Sequence, residues 1–202
     1  MHAPELQAVE VEGFTRSAFI LRGALAAGAA YGLGAVAPFV SSALGAAADD
    51  RNVLAFALTL EQLESAFYKT AIARAGLSGQ AQTLAKSFGG QEDQHVTTLS
   101  QLLTQLGAKP AAAPKTKFGL TDQASFLKLA VTLEDTGVAA YNGAAPLLKT
   151  VDVLSALGSI VNVEARHSAA LRTLAGQDPA PQAFDKPMSA PQVASAVGKF
   201  IQ

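Results

Sequence analysis

Two short motifs constrain this chain more than any other feature: Glu92-x-x-His95 and Glu164-x-x-His167. In an α-helix, residues three apart lie on the same face, so each motif presents a carboxylate beside an imidazole. Such a pair can bind one metal ion. The sequence has three histidines, and both of those outside the extreme N-terminus belong to these motifs. The motifs therefore predict two helices that carry metal ligands.

Two further glutamates, Glu61 and Glu134, lie in apolar stripes with helical spacing. A tyrosine follows each of them seven residues later, at Tyr68 and Tyr141. Two helical turns place each tyrosine on the same face as its glutamate. We expect both tyrosines to donate hydrogen bonds behind the ligands or to pack in the core, with a redox role as the alternative.

The pattern of the first half of the chain recurs in the second half. Glu134 follows Glu61 by 73 residues, and the second Glu-x-x-His motif follows the first by 72. This repeat predicts that helices one and two reappear as helices three and four around a pseudo-twofold axis. Glu64, one turn after Glu61, is the less favoured ligand, because its counterpart in the repeat is Gly137.

Helical periodicity from residue 49 onward predicts an all-α four-helix bundle. Thr121 and Asp152 are predicted to cap the third and fourth helices, and Asp49 or Asp50 the first. Residues 111–117 contain proline and lysine without any period, and they are about long enough for one crossover between the halves of the bundle. Apolar stripes run along all four predicted helices, and they include Ile72 and Leu154.

The chain is expected to have three parts. Residues 1–48 are predicted to be an export signal or membrane anchor, and residues 49–176 the bundle. Residues 177–202 are predicted to form a loop and a short helix that packs on the bundle. Ser189 followed by Gln192 resembles a capping box at the start of that helix.

Burial of four carboxylates in apolar stripes needs compensation, because an isolated charge in a low-dielectric interior costs several kcal/mol or more. Two divalent cations carry four positive charges, so four glutamates and two neutral histidines would form a neutral dimetal site. Carboxylate and imidazole ligands without thiolate suit iron and manganese. The alternative is a buried network of hydrogen-bonded carboxylates that binds no metal.

Composition excludes several other classes of function. The formal net charge is −1 and no basic stretch alternates with aromatics, which argues against a nucleic-acid partner. The sequence contains no cysteine, which excludes disulfides, thiolate metal sites and iron–sulfur clusters. The only methionines are Met1 and Met188, so no haem with a methionine axial ligand is expected in the bundle.

Residues 23–48 carry no charge and are rich in Ala, Gly and Leu, with Arg16 and Arg22 before them and alanines at 46–48 before Asp49. This pattern is typical of a bacterial export signal with a small-residue cleavage site. Residues 15–21 resemble the twin-arginine pattern, but Ser17 occupies the position of the second arginine.

The same apolar stretch allows two other interpretations. It is long enough to span a bilayer of roughly 30 Å as a retained anchor, although its glycines and Pro38 disfavour a stable helix. It could also be a soluble helix of the fold. We expect an exported protein, periplasmic or extracellular, with a membrane-anchored form facing the periplasm as the alternative. A membrane partner is expected only if the leader is retained.

Four stretches carry a family resemblance: LEQLESAFY, EDQHVTTL, LEDTGVAAYNGAAP and VEARHSAAL, followed by AFDKP. They resemble the bacterial ferritin-like domain family that includes desiccation-related proteins, from about residue 50 to the C-terminus. The ligand pattern is more distantly similar to bacterioferritin, rubrerythrin and manganese catalase. The resemblance implies a ferritin-like four-helix bundle. Without cysteine, the chain lacks the rubredoxin-like domain of rubrerythrin, and no haem of the bacterioferritin type is expected.

The resemblance also implies roles for individual residues. Glu61 and Glu134 would be terminal ligands, the glutamates of the two motifs would bridge two metal ions, and each motif histidine would bind one ion. The full predicted ligand set is Glu61, Glu92, His95, Glu134, Glu164 and His167, with Glu64 less favoured.

The function expected from these features is that of an exported dimetal protein, with iron or manganese, that acts on peroxide or dioxygen in stress protection. The reaction would be catalase-like or ferroxidase-like, its partner a small oxidant, and the protein would be a monomer or a homo-oligomer. The alternative is a non-catalytic metal-binding or structural protein of the desiccation-related type, because one bundle fold hosts several chemistries.

Overall fold

The computed structural model describes residues 49–202, and the predicted leader at residues 1–48 lies outside this part of the chain. The described residues form five α-helices and two 3₁₀ turns, the turns at Ala145–Leu147 and Gly198–Phe200. This architecture confirms the predicted all-α class. The helices are α1 (Asp50–Arg74), α2 (Gly79–Gln105), α3 (Gln123–Ala144), α4 (Val151–Leu174) and α5 (Ala190–Val197).

The first helix begins where the sequence predicts. Asp49 is its N-cap, and the Asp49 carboxylate accepts a hydrogen bond from the amide of Arg51 at 3.1 Å. This satisfies one of the amides that a helix start leaves without a partner. Beyond the helix, Gly76 adopts a φ of +58°, a left-handed conformation that costs glycine little and stops the helix.

The predicted caps of the third and fourth helices were wrong by one or two residues. Asp122, not Thr121, caps α3, because its carboxylate reaches the amide of Ser125 in a capping box. Thr150 is the N-cap of α4, and Asp152 lies inside the first turn, where the helix dipole favours an acid.

The start of α4 is held instead by a residue of α1. The carboxylate of Asp50 accepts hydrogen bonds from the amides of Lys149 and Thr150, both at 2.8 Å. Asp50 is buried, so these bonds supply the partners that a buried carboxylate requires. The contact ties the beginning of the first hairpin to the loop of the second.

The bundle is built from two helical hairpins. Helix α1 packs chiefly on α2, and α3 packs chiefly on α4, while α1–α3 and α2–α4 contacts join the two hairpins. Two residues of the predicted apolar stripes, Ile72 and Leu154, are 38% and 42% exposed and do not belong to the core. Both lie near helix ends, where a strict three-and-four spacing has drifted around the helix surface.

Apolar side chains form two separate buried clusters, one toward each end of the bundle. In α2, for example, Phe88 belongs to the first cluster and Leu99 to the second. In α4, Leu171 belongs to the first and Ile160 to the second. The predicted metal ligands occupy the segments between the clusters on these helices, so the fold surrounds the polar residues with apolar packing at both ends.

The C-terminal segment packs on the bundle and on the crossover. Ser189 and Gln192 form the predicted capping box of α5, and Val193 is fully buried. A Cβ atom at Gly143 would lie 1.9 Å from the carbonyl oxygen of Met188, so only glycine permits this approach. Ile201 pairs with Thr116 of the crossover in a single antiparallel bridge. Within the described residues, no helix combines the length and apolarity needed to cross a membrane.

Candidate metal centre

The six predicted ligands lie together in the middle of the bundle. They form two overlapping groups, and within each group one ligand atom per residue lies within 4.8 Å of all the others. Glu92 and Glu164 belong to both groups, which matches the geometry expected of shared carboxylates. The first group is completed by Glu61 and His95, and the second by Glu134 and His167. All six residues are buried.

In the first group, three carboxylates converge on one ring nitrogen. Nδ1 of His95 lies 3.0 Å from Oε2 of Glu61, 3.0 Å from Oε2 of Glu92 and 3.0 Å from Oε1 of Glu164. One ring nitrogen carries at most one proton, so it cannot satisfy three carboxylates by hydrogen bonding. Ligand atoms bonded to a common ion at about 2.1 Å and at right angles are about 3 Å apart. The group therefore fits a metal ion.

The second group has the same character. Nδ1 of His167 lies 3.0 Å from Oε1 of Glu92 and 3.3 Å from Oε2 of Glu134, yet forms no hydrogen bond of acceptable geometry. A buried polar atom without a partner costs about 1–3 kcal/mol. Within the described residues, six such atoms lie at this centre: Glu64 Oε2, Glu92 Oε1, Glu134 Oε2, Glu164 Oε1 and Oε2, and His167 Nδ1. Cations bound between these atoms would satisfy all six together.

The buried carboxylates and imidazoles of the site have shifted pKa values. Burial raises the pKa of Glu61 and of Glu134 well above the usual range, because a carboxylate loses its hydration there. Burial acts in the same direction on Glu92, but its close contacts with the two imidazoles outweigh burial and lower the pKa of Glu92 to about 2. The surrounding carboxylates overcome burial at His95 and raise its pKa to about 12. When no cation is bound, these shifts favour the protonated forms of Glu61, Glu134 and His95.

Comparison with known proteins agrees with this geometry. The model of the ferritin-like domain matches residues 49–177. This chain belongs to the ferritin-like domain family. The predicted family and fold are therefore confirmed.

One solved structure with a similar fold is the crystal structure of a conserved hypothetical protein, rv2844, from Mycobacterium tuberculosis. The two chains are 17% identical with a TM-score of 0.57, over 62% of this chain and 96% of the other. At this level of identity, the likeness concerns the fold alone. Among curated proteins, no sequence match is found.

The two tyrosines cross from one hairpin of the ferritin-like domain to the other. The hydroxyl of Tyr68 on α1 donates to Oε1 of Glu134 on α3, and the hydroxyl of Tyr141 on α3 donates to Oε1 of Glu61 on α1. Each terminal carboxylate thus keeps its Oε2 directed at a histidine. Burial raises the pKa of both tyrosines, so they remain protonated donors.

A fifth carboxylate lies beside the six predicted ligands. Glu64 is buried, and its Oε2 has no hydrogen-bond partner within the described residues. Burial and the neighbouring carboxylates, Glu164 foremost, raise its pKa well above the usual range. A Cβ at Gly137 would lie 3.3 Å from Oε1 of Glu64, so the glycine provides the space that this side chain occupies. In the sequence, Gly137 stands where the repeat would place a counterpart of Glu64, and this difference was the signal for a single extra carboxylate.

A hydrogen-bonded cluster supports the first hairpin at the level of the ligands. Asp93 directly follows Glu92, and its Oδ1 accepts from Oγ of Ser65 and from Nζ of Lys69, both at 2.7 Å. The donors lie on α1 and the acceptor on α2. These bonds oppose rotation of α2 about its axis, which would displace Glu92.

The second hairpin has an equivalent cluster with the roles of the helices exchanged. Asp135 directly follows Glu134 on α3, and its carboxylate accepts from Oγ of Ser168 at 2.6 Å and from the guanidinium of Arg172 on α4. Arg166, adjacent to the ligands in sequence, is exposed. Spacing along one helix does not indicate either cluster, because each aspartate lies more than 20 residues from its donors in the sequence.

One histidine has a side-chain partner outside the carboxylate cluster. Nε2 of His167 lies 2.7 Å from Oε1 of Gln91, and the amide nitrogen of Gln91 donates to Oγ of Ser87 at 3.4 Å. The His167 ring also stacks on Phe88, with 4.0 Å between ring centroids. Sequence reasoning did not select Gln91, although it directly precedes a predicted ligand.

Proposed function

We propose that this ferritin-like protein is a dimetal carboxylate oxidoreductase that acts on peroxide or dioxygen with iron or manganese. The observation that carries the proposal is the pair of overlapping ligand groups that share Glu92 and Glu164. Oxygen and nitrogen ligands of this kind suit iron and manganese. When bound, two such ions would supply the changes between divalent and trivalent states that this chemistry requires.

The residues of the chain would bind and orient. Glu61 and His95 would hold one ion, Glu134 and His167 the other, and the two shared carboxylates would hold them together. Tyr68 would fix the terminal carboxylate of the opposite hairpin, as Tyr141 does in return. The two apolar clusters would exclude bulk water from both ends of the site.

The burial of the site favours a very small substrate. The four ligand carboxylates are at most 1% exposed, and the more accessible histidine, His95, is 8% exposed. A molecule of two oxygen atoms can enter such a site with little rearrangement, whereas a larger organic substrate requires the helices to part. Peroxide and dioxygen meet this condition.

The reaction that fits best needs no outside electron donor. In peroxide disproportionation, one peroxide is oxidised to dioxygen while a second is reduced to water, so the electrons balance. In ferroxidation, ferrous iron is itself the reductant of dioxygen. The sequence has no cysteine with which a rubredoxin-like centre could deliver electrons, so these two reactions are preferred over a reductase.

The first experiment measures metal content by mass spectrometry on protein isolated from its native host, followed by peroxide consumption and oxygen release. We expect two iron or manganese ions per chain and turnover that is lost in Glu92→Ala and His167→Ala. Arg166→Ala is the matched control, since this exposed residue precedes His167 in the same helix. A metal-free protein, or undiminished turnover in the two ligand variants, would contradict the catalytic proposal.

The burial of the site also favours a second candidate function, that of a non-catalytic metal-binding or structural protein of the desiccation-related type. Buried carboxylates that need cations to satisfy them would make metal a structural component. In that case iron or manganese raises the melting temperature by mass action, while turnover of peroxide and dioxygen is negligible. Measuring both quantities on one preparation separates the two candidates.

Export and a role in stress protection complete the proposal. Export rests on the apolar stretch at residues 23–48 and on the small residues before Asp49, whereas the protective role rests on the family resemblance. Mass spectrometry of the native N-terminus distinguishes a cleaved leader, which gives a chain starting near residue 49, from a retained anchor. A deletion strain that tolerates drying and peroxide as well as its parent would contradict the protective role.

A further inference from the structure

The two histidines of the site are supported unequally, although the repeat relates them. The Oε1 of Gln91 can only accept, so the 2.7 Å contact places a proton on Nε2 of His167. The contact from the Gln91 amide nitrogen to Ser87 orients that oxygen toward the ring. In the neutral ring that binds metal, a proton on Nε2 leaves the lone pair of Nδ1 facing Glu92 and Glu134, where the ion would be bound.

The other half of the repeat lacks this support. Val163 directly precedes Glu164, as Gln91 precedes Glu92, and its side chain offers no hydrogen-bond acceptor. Ile160 stands in the position equivalent to Phe88, the residue whose ring stacks on His167. Within the described residues, Nε2 of His95 has no hydrogen-bond partner, and the His95 side chain is 11% exposed against 2% for His167.

We propose that Gln91 makes the two metal positions unequal in affinity. By fixing the tautomer and orientation of His167, it gives the His167 position the higher affinity for its ion. The His95 position is then the exchangeable one. Partners that fix a ligating histidine change metal affinity by about 10- to 100-fold. Gln91 is a positioning residue, because it acts on the ion only through His167. The inference rests on the proposed function only in requiring that both positions bind metal.

Single-histidine backgrounds isolate the two positions. In the full-length chain, His95→Ala leaves the His167 position and His167→Ala leaves the His95 position, and each is titrated with Co²⁺ by its visible absorption. We expect the His95→Ala protein to bind Co²⁺ more tightly. Adding Gln91→Met, which removes the acceptor at similar volume, should weaken binding about 10- to 100-fold in that background. It should leave the affinity of the His167→Ala protein unchanged.

A spectroscopic readout tests the hydrogen bond itself. In the Zn²⁺-loaded protein labelled with ¹⁵N-histidine, we expect one imidazole Nε2–H resonance that exchanges slowly with water, from His167. Gln91→Met should abolish its protection, and Gln91→Glu, which keeps an acceptor, should retain it and restore Co²⁺ affinity. Val163→Met is the matched control, since it alters the equivalent position beside Glu164 and should change neither signal.

The outcomes separate this inference from the proposed function. If the unmodified protein binds neither Co²⁺ nor Zn²⁺, the dimetal proposal itself fails. If it binds two ions but the two single-histidine proteins have equal affinities, the inequality is wrong. If Gln91→Met weakens both backgrounds alike, or if Gln91→Glu fails to rescue a folded protein, Gln91 does not act through His167 and the inference is overturned.

Discussion

The hydroxyl of Tyr68 donates a hydrogen bond to Oε1 of Glu134 across the bundle, and Tyr141 makes the reciprocal bond to Glu61. Each tyrosine lies on the hairpin opposite to the carboxylate that it supports. The two hairpins are therefore linked through the predicted ligands, in addition to their packing. Any movement of one hairpin along the other would break both bonds together.

Replacing Tyr68 with phenylalanine should destabilise the protein by about 1–3 kcal/mol, because Oε1 of Glu134 is then buried without a donor. Tyr141→Phe should have a similar effect, since its bond is the symmetric one. Denaturant unfolding of the Mn²⁺-loaded protein measures both, and two ions per chain should remain bound because all six ligands are intact. Two variants as stable as the parent would show that the tyrosines only fill space.

Replacing either of two adjacent glycines in α2 with alanine should change stability, but in opposite directions. A Cβ at Gly89 would lie 2.9 Å from Cβ of Tyr68, which cannot move without its helix, whereas a Cβ at Gly90 meets nothing within 4 Å. Gly89→Ala should therefore cost about 1–3 kcal/mol by overpacking. Gly90→Ala should stabilise the protein by about 0.5–1 kcal/mol, because alanine loses less backbone entropy in a helix.

The melting temperatures of the two variants, measured side by side, check this prediction, and each serves as the control for the other. A Gly89→Ala protein as stable as the Gly90→Ala protein would show that α1 and α2 can separate at this point at no cost.

The sequence predicted those features that depend on spacing along one helix. The motif pairs Glu92/His95 and Glu164/His167 have the period of an α-helix. Glu61 and Glu134 lie in apolar stripes of the same period, and the repeat favours Glu61 over Glu64. All six converge in the structure because the same period places the apolar residues that pack around them. The fold and the composition of the site thus follow from local periodicity.

Features that depend on contacts between helices were not predicted. The pairing of Tyr68 with Glu134, and of Gln91 with His167, depends on how the helices are rotated against each other, which a spacing along one helix does not report. The caps at Asp122 and Thr150 were missed by one or two residues because several neighbouring side chains can serve as caps.

Glutamine in place of Glu64 should preserve metal binding, whereas glutamine in place of Glu61 should not. Burial and the neighbouring carboxylates raise the pKa of Glu64 well above the usual range, which favours its protonated form, and an amide resembles a protonated acid in shape and charge. Glu61 is a member of the first ligand group, and its Oε2 lies 3.0 Å from Nδ1 of His95.

Metal content after dialysis against Mn²⁺ distinguishes the two variants. We expect two ions per chain in Glu64→Gln and loss of the ion at the His95 position in Glu61→Gln. If Glu64→Gln instead loses an ion while remaining folded, then Glu64 is itself a ligand, and the choice between the two residues that the repeat favoured was wrong.

In the metal-free protein, the free energy of unfolding should fall as pH rises. Burial raises the pKa of Glu61 and of Glu134 above 4.5, so the contribution of these residues to stability is complete below pH 4.5. It is lost as pH rises toward their pKa values in the folded protein. The pKa of His167 is raised from 6.5 to about 9, because Glu134 and Glu92 outweigh burial. Its contribution is likewise present below 6.5 and lost on the way to about 9. Both effects have the same sign.

Unfolding of the chelator-treated protein between about pH 5 and about pH 8 should therefore show a steadily falling free energy of unfolding. Mn²⁺ should reverse the trend, since ions displace protons from these ligands and bind more tightly as pH rises. The metal-saturated protein in the same pH series is the control. A chelator-treated protein that grows more stable from about pH 5 to about pH 8 would show that folding does not raise the pKa of Glu61, Glu134 and His167.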